Sequence, residues 1–149
     1  MATETERKFL VNGEFINLAV KKIDIIQRYI SIDSDKTVRL RIYGEYAFIT
    51  IKSRLEGKTI SRNEWEFSIP LQDAREMMKI CLPGVIEKTR HIIPSGNHKY
   101  EVDVFHGKNE GLIIAEIELS DENEEFDKPS WLGEEVTGRP EYYNANLIK

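Results

Sequence analysis

Pairs of polar residues, most of them charged, recur along this chain with one residue between the two members. They lie in segments whose composition otherwise favours β-strands. Because alternate residues of a strand point to the same face of a sheet, both members of a pair share one face. The residues between them are mostly apolar, so we predict a sheet with one ionic face and one apolar face. The seven pairs are Glu4/Glu6 (extended by Lys8), Arg39/Arg41, Thr50/Lys52, Glu64/Glu66, Lys88/Arg90, Glu101/Asp103 and Glu116/Glu118.

Eight candidate strands carry these pairs, and short turn sequences such as Gly44-Glu45 separate them. Short connections of this kind join antiparallel neighbours. Short helices are expected over residues 17–22, 72–82, 129–136 and 141–147, the second with Asp73 and Glu76 spaced as a capping box. The predicted strands cover residues 3–11, 24–32, 36–43, 46–53, 59–69, 86–93, 99–106 and 111–119.

Two architectures fit eight antiparallel strands with one charged face. In the first, the charges face solvent and the apolar face packs on helices, which is a common arrangement. Against it, few helical residues are available, and same-sign pairs such as Arg39 with Arg41 repel each other unless something bridges them. We therefore predict a mainly β (α+β) fold, a closed eight-stranded antiparallel β-barrel tunnel with a few short helices. Its apolar face would pack on helices, loops or a partner subunit, which leaves a homodimer open.

The charge balance of such a tunnel predicts a bound metal. Seven basic groups in a dry interior would be prohibitively costly, so water, a metal and a polyanion are expected inside. Eight inward acids against seven inward bases leave a net charge of about −1. A polyphosphate alone would worsen this balance, whereas one or two divalent cations on the acidic pairs would reverse it. The inward acids are Glu4, Glu6, Glu64, Glu66, Glu101, Asp103, Glu116 and Glu118, and the inward bases are Lys8, Arg39, Arg41, Lys52, Arg62, Lys88 and Arg90.

Length and composition narrow the classes of protein to consider. A chain of 149 residues fits one domain, residues 1–149. The net charge of −5 argues against general affinity for nucleic-acid backbones. The single cysteine, Cys81, excludes an internal disulfide and a cysteine-built metal site. We find neither a secretory signal nor an apolar run of membrane-spanning length, so a cytoplasmic protein without membrane contact is expected.

The charged motifs resemble those of the CYTH superfamily, the triphosphate tunnel metalloenzymes. The opening segment from Glu4 to Lys8 looks like that family's N-terminal Glu-x-Glu-x-Lys signature. One departure is Arg28, where a glycine is common between the glutamine and the tyrosine. The similarity spans essentially the whole chain. The motifs that follow in order are Gln27-Arg28-Tyr29, Val38 to Arg41, Thr50 to Lys52, Arg62 to Glu66, Glu87 to Arg90, Glu101 to Asp103, Ala115 to Glu118, Pro129 to Thr137 and Tyr143-Asn144.

This resemblance implies a tunnel that binds triphosphates together with Mg²⁺ or Mn²⁺. Small bacterial members look most like inorganic triphosphatases, so we expect metal-dependent hydrolysis of a phosphoanhydride bond in inorganic tripolyphosphate. Alternatives in the same tunnel are a nucleoside or thiamine triphosphatase and a class IV-type adenylate cyclase. A non-enzymatic polyphosphate-binding module is a further alternative. The expected partner is a small polyanion, and no nucleic-acid duplex is expected.

Roles for individual residues follow from this resemblance and from ligand chemistry. Mg²⁺ prefers oxygen ligands, while arginine matches phosphate oxygens with a planar fork and lysine acts as a point charge. We expect Glu4, Glu6 and Glu118 to be direct metal ligands. The remaining acids would hold a second ion or orient arginines. This second group is Glu64, Glu66, Glu101, Asp103 and Glu116, and the predicted phosphate clamp is Arg39, Arg41, Lys52, Lys88 and Arg90, with Arg62 at its margin.

Lys8 and Tyr29 match family motif positions and are our candidates for proton handling. A lysine beside a phenol can lower the pKa of that phenol enough for general-base catalysis. Alternatively, Tyr29 is an aromatic residue of the barrel wall and Lys8 is one more phosphate contact.

Overall fold

An antiparallel sheet that closes on itself dominates the computed structural model, which describes residues 2–58 and 60–148. Within these residues the sheet has nine strands, two α-helices accompany it, and four short 3-10 turns lie between them. The strands are Ala2–Val11 (β1), Lys21–Ile32 (β2), Lys36–Tyr43 (β3), Tyr46–Arg54 (β4), Ser61–Ile69 (β5), Ile86–Ser95 (β6), His98–Phe105 (β7), Ile113–Leu119 (β8) and Leu132–Glu135 (β9).

Closure of the barrel depends on β1. The neighbours run in the order β5-β4-β3-β2-β6-β7-β8-β1, and β1 also pairs with β5, so eight strands form a ring. Thr5 pairs with both Ser61 of β5 and Leu119 of β8, which places these two strands on opposite edges of β1. The eight-stranded antiparallel barrel predicted from the sequence is therefore confirmed.

The ninth strand was not predicted. Residues 129–136 were expected to form a turn of helix, but β9 pairs with the far end of β1, on the edge that β5 leaves free. Gly133 allows this approach, because a Cβ atom there would lie 2.9 Å from the carbonyl oxygen of Leu10. Elsewhere the predicted strands are present with small shifts of their ends. Thr59, the expected start of the fifth strand, lies outside the described residues.

Helices are few and short. Helix α1, Leu71–Met77, continues as a 3-10 turn at Met78–Ile80, and helix α2 is Asn144–Leu147. The predicted capping box was wrong, because Pro70 occupies the N-cap and Asp73 already lies in the first helical turn. The other 3-10 turns are Ile16–Leu18, Gly107–Asn109 and Pro140–Tyr142. None of the described helices is long and apolar enough to cross a membrane.

The outer face of the barrel carries the larger apolar core. Phe9, Val102 and Ile117 are buried there beneath the segment that leads into β9. Trp131 of that segment packs edge-on against Tyr100, with 5.2 Å between ring centroids. This segment therefore covers the outer face of strands β1, β7 and β8.

A second apolar cluster lies inside the barrel and closes one end. Ile86, Phe105 and Ile114 each lie two residues from an inward-facing charged residue of the same strand and therefore also point inward. They pack with Tyr29 of β2 and with Ile148, which directly follows α2. The ionic interior predicted from the sequence thus ends on an apolar floor.

Candidate functional site

The charged inward-facing side chains are more exposed at one end of the barrel than at the other. Side-chain exposure is 42% for Arg62, 12% for Lys52 and 2% for Lys88, and it is 1% for Asp103. The exposed end is the mouth of the tunnel, and the buried end lies against the apolar floor. The predicted charged residues therefore converge on a tunnel with one mouth and one deep end.

Carboxylates gather at the mouth. Glu6 of β1 stands directly opposite Glu118 of β8 in the strand register. Burial raises the pKa of Glu118, and the nearby carboxylates of Glu4, Glu64 and Glu6 raise it further. Facing like charges destabilise a sheet unless a cation lies between them. These four carboxylates therefore need more positive charge between them.

Lys52 supplies part of that positive charge. Its Nζ lies 2.7 and 2.9 Å from the two carboxylate oxygens of Glu4 and 3.7 Å from Glu64. Burial alone would raise the pKa of Glu4, but the ammonium of Lys52, a hydrogen bond with Glu6 and the charge of Arg62 together lower it. Arg62 reaches only to 3.9 Å from Glu6. The mouth is thus a lattice of acids with fewer cations than it needs.

Two arginines of β3 have the opposite deficiency. The Nη2 atoms of Arg39 and Arg41 lie 3.7 and 3.8 Å from the same oxygen of Glu66. Both Nε–H groups are buried and, in the described part of the chain, have no hydrogen-bond acceptor. Burial, with the neighbouring charges of Arg39 and Arg90, lowers the pKa of Arg41 to about 10. A buried, unpaired guanidinium N–H is costly, and an anion in the tunnel would satisfy it.

At the deep end, Asp103 is the hub of an ion-pair network. Its two oxygens accept hydrogen bonds from Nε and Nη2 of Arg90 at 2.8 and 2.9 Å, and Lys88 Nζ lies 2.8 Å away. These two cations outweigh burial and hold the pKa of Asp103 well below its usual range. Glu101 lies 3.2 Å from Arg90. This geometry favours the role of orienting cations over the role of metal ligand for Asp103.

Lys8 and Tyr29 lie in the same tunnel. Lys8 Nζ is 3.7 Å from Glu116, and this carboxylate together with Glu6 raises its pKa against the effect of burial. Burial also raises the pKa of the Tyr29 phenol, and Arg39 and Lys8 offset this only in part. The expected lowering of this pKa was therefore wrong, because Tyr29 is buried in the apolar floor.

Carboxylates at the mouth fit a hard divalent cation. The donor set of Glu4, Glu6 and Glu118 offers only oxygen, and the Glu6–Glu118 pair is the part that needs a cation most. Within residues 2–58 and 60–148, no three acidic, histidine or cysteine side chains come close enough to enclose a metal ion by themselves. Mg²⁺ commonly takes one or two carboxylates and completes its shell with waters and phosphate oxygens.

Three polar residues of the tunnel had no predicted role. Thr50 is buried, donates to Glu66 at 2.7 Å and accepts from Arg39 at 3.3 Å. The Nε2 atom of Gln27 donates to Asn144 Oδ1 at 3.2 Å. The sequence pattern placed Thr50 on the ionic face and Gln27 in a family-like motif, but it indicated no contact for either residue. Asn144 also belongs to a family-like motif, Tyr143-Asn144, and the three-dimensional contact shows where its side chain lies.

Two surface grooves lie outside the tunnel itself. One of about 390 Å³ borders the mouth, where Glu101 and Glu118 meet His98. The larger, about 500 Å³, lies on the outer face between Val20 and His106 and contacts none of the predicted site residues. The ion pairs of the tunnel are therefore the better candidate for function than either groove.

Comparison with known proteins agrees with this geometry, which defines a closed antiparallel barrel with a charged tunnel. A sequence model of the CYTH domain matches residues 2–148. The chain is 45% identical over 150 residues to an inorganic triphosphatase of Acetivibrio thermocellus, covering 100% of this chain and 95% of that protein. It is 35% identical to an inorganic triphosphatase of Nitrosomonas europaea, with 97% and 96% covered.

A solved structure is similar over the same extent. The crystal structure of the inorganic triphosphatase NE1496 matches with a TM-score of 0.66 at 31% identity, covering 99% of this chain and 95% of that one. The chain described here belongs to the CYTH domain family.

Proposed function

We propose that this protein hydrolyses a phosphoanhydride bond of inorganic tripolyphosphate with the help of a divalent cation. The observation that carries the proposal is that the buried Nε–H groups of Arg39 and Arg41, inside a tunnel with one mouth, have no acceptor among the described residues. A linear polyphosphate offers oxygens along its length and no bulky group. The relatives named inorganic triphosphatase support the same substrate.

The basic residues hold and neutralise the substrate. Arg39 and Arg41 clamp phosphate oxygens from β3, while Lys88 and Arg90 extend positive charge to the deep end. Lys52 pairs with Glu4, and it would be available to contact the anion if a cation took its place on that carboxylate. Phosphoryl transfer needs mainly positioning and neutralisation of charge, and these residues provide both.

The acids at the mouth hold the metal. Glu4, Glu6 and Glu118 would bind Mg²⁺ or Mn²⁺, with Glu64 and Glu116 beside them. When bound, the ion supplies charge neutralisation at the phosphate oxygens and lowers the pKa of a coordinated water. Its site is where facing carboxylates now repel each other.

Tyr29 acts as a donor in this proposal. Because burial raises its pKa, the phenol stays protonated at neutral pH and cannot serve as a ready base. The protonated hydroxyl of Tyr29 donates a hydrogen bond to a phosphate oxygen. Lys8 contributes a fixed positive charge beside Glu116. The carboxylates that line the tunnel are then the groups available to accept the proton of the attacking water.

A phosphate-release panel tests the proposal. Tripolyphosphate, ATP and thiamine triphosphate are compared with Mg²⁺, with Mn²⁺ and with a chelator. We expect tripolyphosphate to be hydrolysed fastest and the chelator to abolish turnover. Release of cyclic AMP and pyrophosphate from ATP as the main reaction would refute the hydrolase assignment.

A matched pair of glutamate variants tests the metal site. Glu6→Gln removes a charge at the mouth and should abolish turnover while leaving much of the binding of tripolyphosphate. Glu87→Gln makes the same change on the exposed outer face of β6 and should leave turnover unchanged. Normal activity in Glu6→Gln would reject the metal assignment.

A further inference from the structure

The C-terminal segment that closes the barrel directs one amide side chain into the tunnel. Ile148 and the α2 residues Ala145 and Leu147 pack against the apolar floor. Asn144, the first residue of α2, instead accepts a hydrogen bond from Lys88 Nζ at 2.9 Å and one from Gln27 Nε2 at 3.2 Å. A single amide oxygen thus joins the closing segment to inward-facing side chains of two strands, β6 and β2.

Several contacts fix the position of this segment. Asn109 Nδ2 donates to the carbonyl oxygen of Leu147 at 2.9 Å. Gly84 lies so close that an added Cβ atom would be 2.8 Å from Ile148 Cβ. The ring of Tyr143 lies 5.7 Å from Lys8 Nζ, within cation–π range. The oxygen of Asn144 is therefore presented to Lys88 from a well-defined place.

The Lys88 ammonium needs a further hydrogen-bond acceptor because it is buried. Its side chain is 2% exposed, and its ammonium has three N–H groups. The structure assigns two of these groups, one to Asp103 at 2.8 Å and one to Asn144. Asp103 also bonds both Nε and Nη2 of Arg90, so its charge is shared between two cations.

A neutral acceptor has a particular value at this position. A second carboxylate would hold the ammonium equally well but would cancel its charge and repel an anionic substrate. The amide of Asn144 restricts the rotation of the ammonium and leaves the charge in place. The third N–H group then has a fixed direction for a further acceptor.

We propose that Asn144 is a positioning residue that holds the Lys88 ammonium so that its third N–H meets a phosphate oxygen at the deep end of the tunnel. The inference rests on the proposed function, since it takes the substrate to be a polyphosphate. It assigns the closing segment a part in substrate binding in addition to sealing the barrel.

Asn144→Leu tests this role, because leucine keeps the branched shape of asparagine but removes the acceptor. Loss of a hydrogen bond to a charged group predicts a rise in KM for tripolyphosphate of about tenfold or more, with kcat changed by less. Asn146→Leu is the matched control, since Asn146 lies on the same helix and its side-chain Nδ2 donates to Pro140 O, at 2.8 Å, rather than contacting Lys88. If the leucine variant fails to fold, Asn144→Ala, which needs no extra volume, provides the same test.

A double-mutant cycle shows whether Asn144 acts through Lys88. In a Lys88→Met background, Asn144→Leu should change KM by less than about twofold, because the partner of the amide oxygen is gone. An equal rise in KM with and without Lys88 would overturn the proposal. So would a wild-type KM in the Asn144→Leu single variant.

A spectroscopic readout separates this proposal from the proposed function. The side-chain ¹⁵N resonance of Lys88, recorded without substrate, should shift in Asn144→Leu and stay in place in Asn146→Leu. An unchanged resonance in Asn144→Leu refutes the positioning role whatever the enzyme hydrolyses. A shifted resonance in a protein that does not hydrolyse tripolyphosphate refutes the proposed function and leaves the contact established.

Discussion

Replacing Arg41 should make the protein more stable and a poorer binder of its substrate. Burial and neighbouring cations lower the pKa of this guanidinium from 12.5 to about 10. At about 1.4 kcal/mol per pH unit, keeping it charged in the fold costs about 3 kcal/mol. Its Nε–H adds the cost of a buried donor without an acceptor in the described chain. Arg41→Gln removes both costs and loses a long contact of 3.8 Å with Glu66 and a cation–π contact with Tyr43, whose ring centroid lies 5.2 Å from Arg41 Cζ.

The two expected effects of Arg41→Gln have opposite directions. Without ligand, we expect the free energy of unfolding to rise by about 1–2 kcal/mol, since some packing of the side-chain stem is lost. A charge-assisted contact with phosphate contributes about 1.5–3 kcal/mol, so KM for tripolyphosphate should rise about 10- to 150-fold. Urea denaturation measures the first effect, and phosphate release at varied substrate concentration measures the second.

Arg7 provides the matched control. It lies on the outer face, where Nη2 and Nε donate to the two oxygens of Glu135 at 2.6 and 2.8 Å. This hydrogen bonding raises its pKa, so Arg7→Gln should lower the free energy of unfolding and leave KM unchanged. If Arg41→Gln instead unfolds more easily and binds tripolyphosphate normally, Arg41 is a structural cation and the anion-binding argument fails.

The pH dependence of kcat/KM reports on Lys88, because burial lowers its pKa to about 8. As pH rises through about 8, Lys88 of the folded protein loses its charge, so kcat/KM should fall. The free energy of unfolding should rise between about pH 8 and 10.5, because in that range only the unfolded chain still holds the proton. Gly84→Ala should lower the free energy of unfolding by more than Gly57→Ala in urea denaturation. Both glycines have positive φ, but only Gly84 has a close neighbour, Ile148. Trp131→Ala should cost about 3–5 kcal/mol of stability without altering KM, since this ring packs on the outer face; a changed KM would contradict that separation.

The barrel was predictable because period-two alternation is visible in the sequence. Residues such as Arg39 and Arg41 must share a face, and same-sign pairs on one face require something between them. Strand β9 was not predictable in this way. It has only four residues, and it forms because β5 leaves part of one edge of β1 unpaired.

The inward orientation of the candidate site residues was predictable, whereas their electrostatics were less so. Alternation identified Glu6 and Glu118 as inward-facing but gave no burial depth. Tyr29 shows the consequence, because the apolar floor around it raises a pKa that the sequence suggested Lys8 would lower. Asn144 lies far from Lys88 in sequence, and no local pattern indicates their contact.

Because β1 pairs with β5, β8 and β9, its position in the chain also constrains the order in which this protein can fold. Glu6 pairs with Glu118, and Phe9 pairs with Glu135, each more than a hundred residues further along the chain. During synthesis the first strand therefore leaves the ribosome long before its partners exist. Contacts between such distant residues slow folding, and the waiting strand exposes an unpaired edge. Assembly of the ring should accordingly be a late event, completed after translation of the final strands, and Glu4, Glu6 and Lys8 reach their working positions only then.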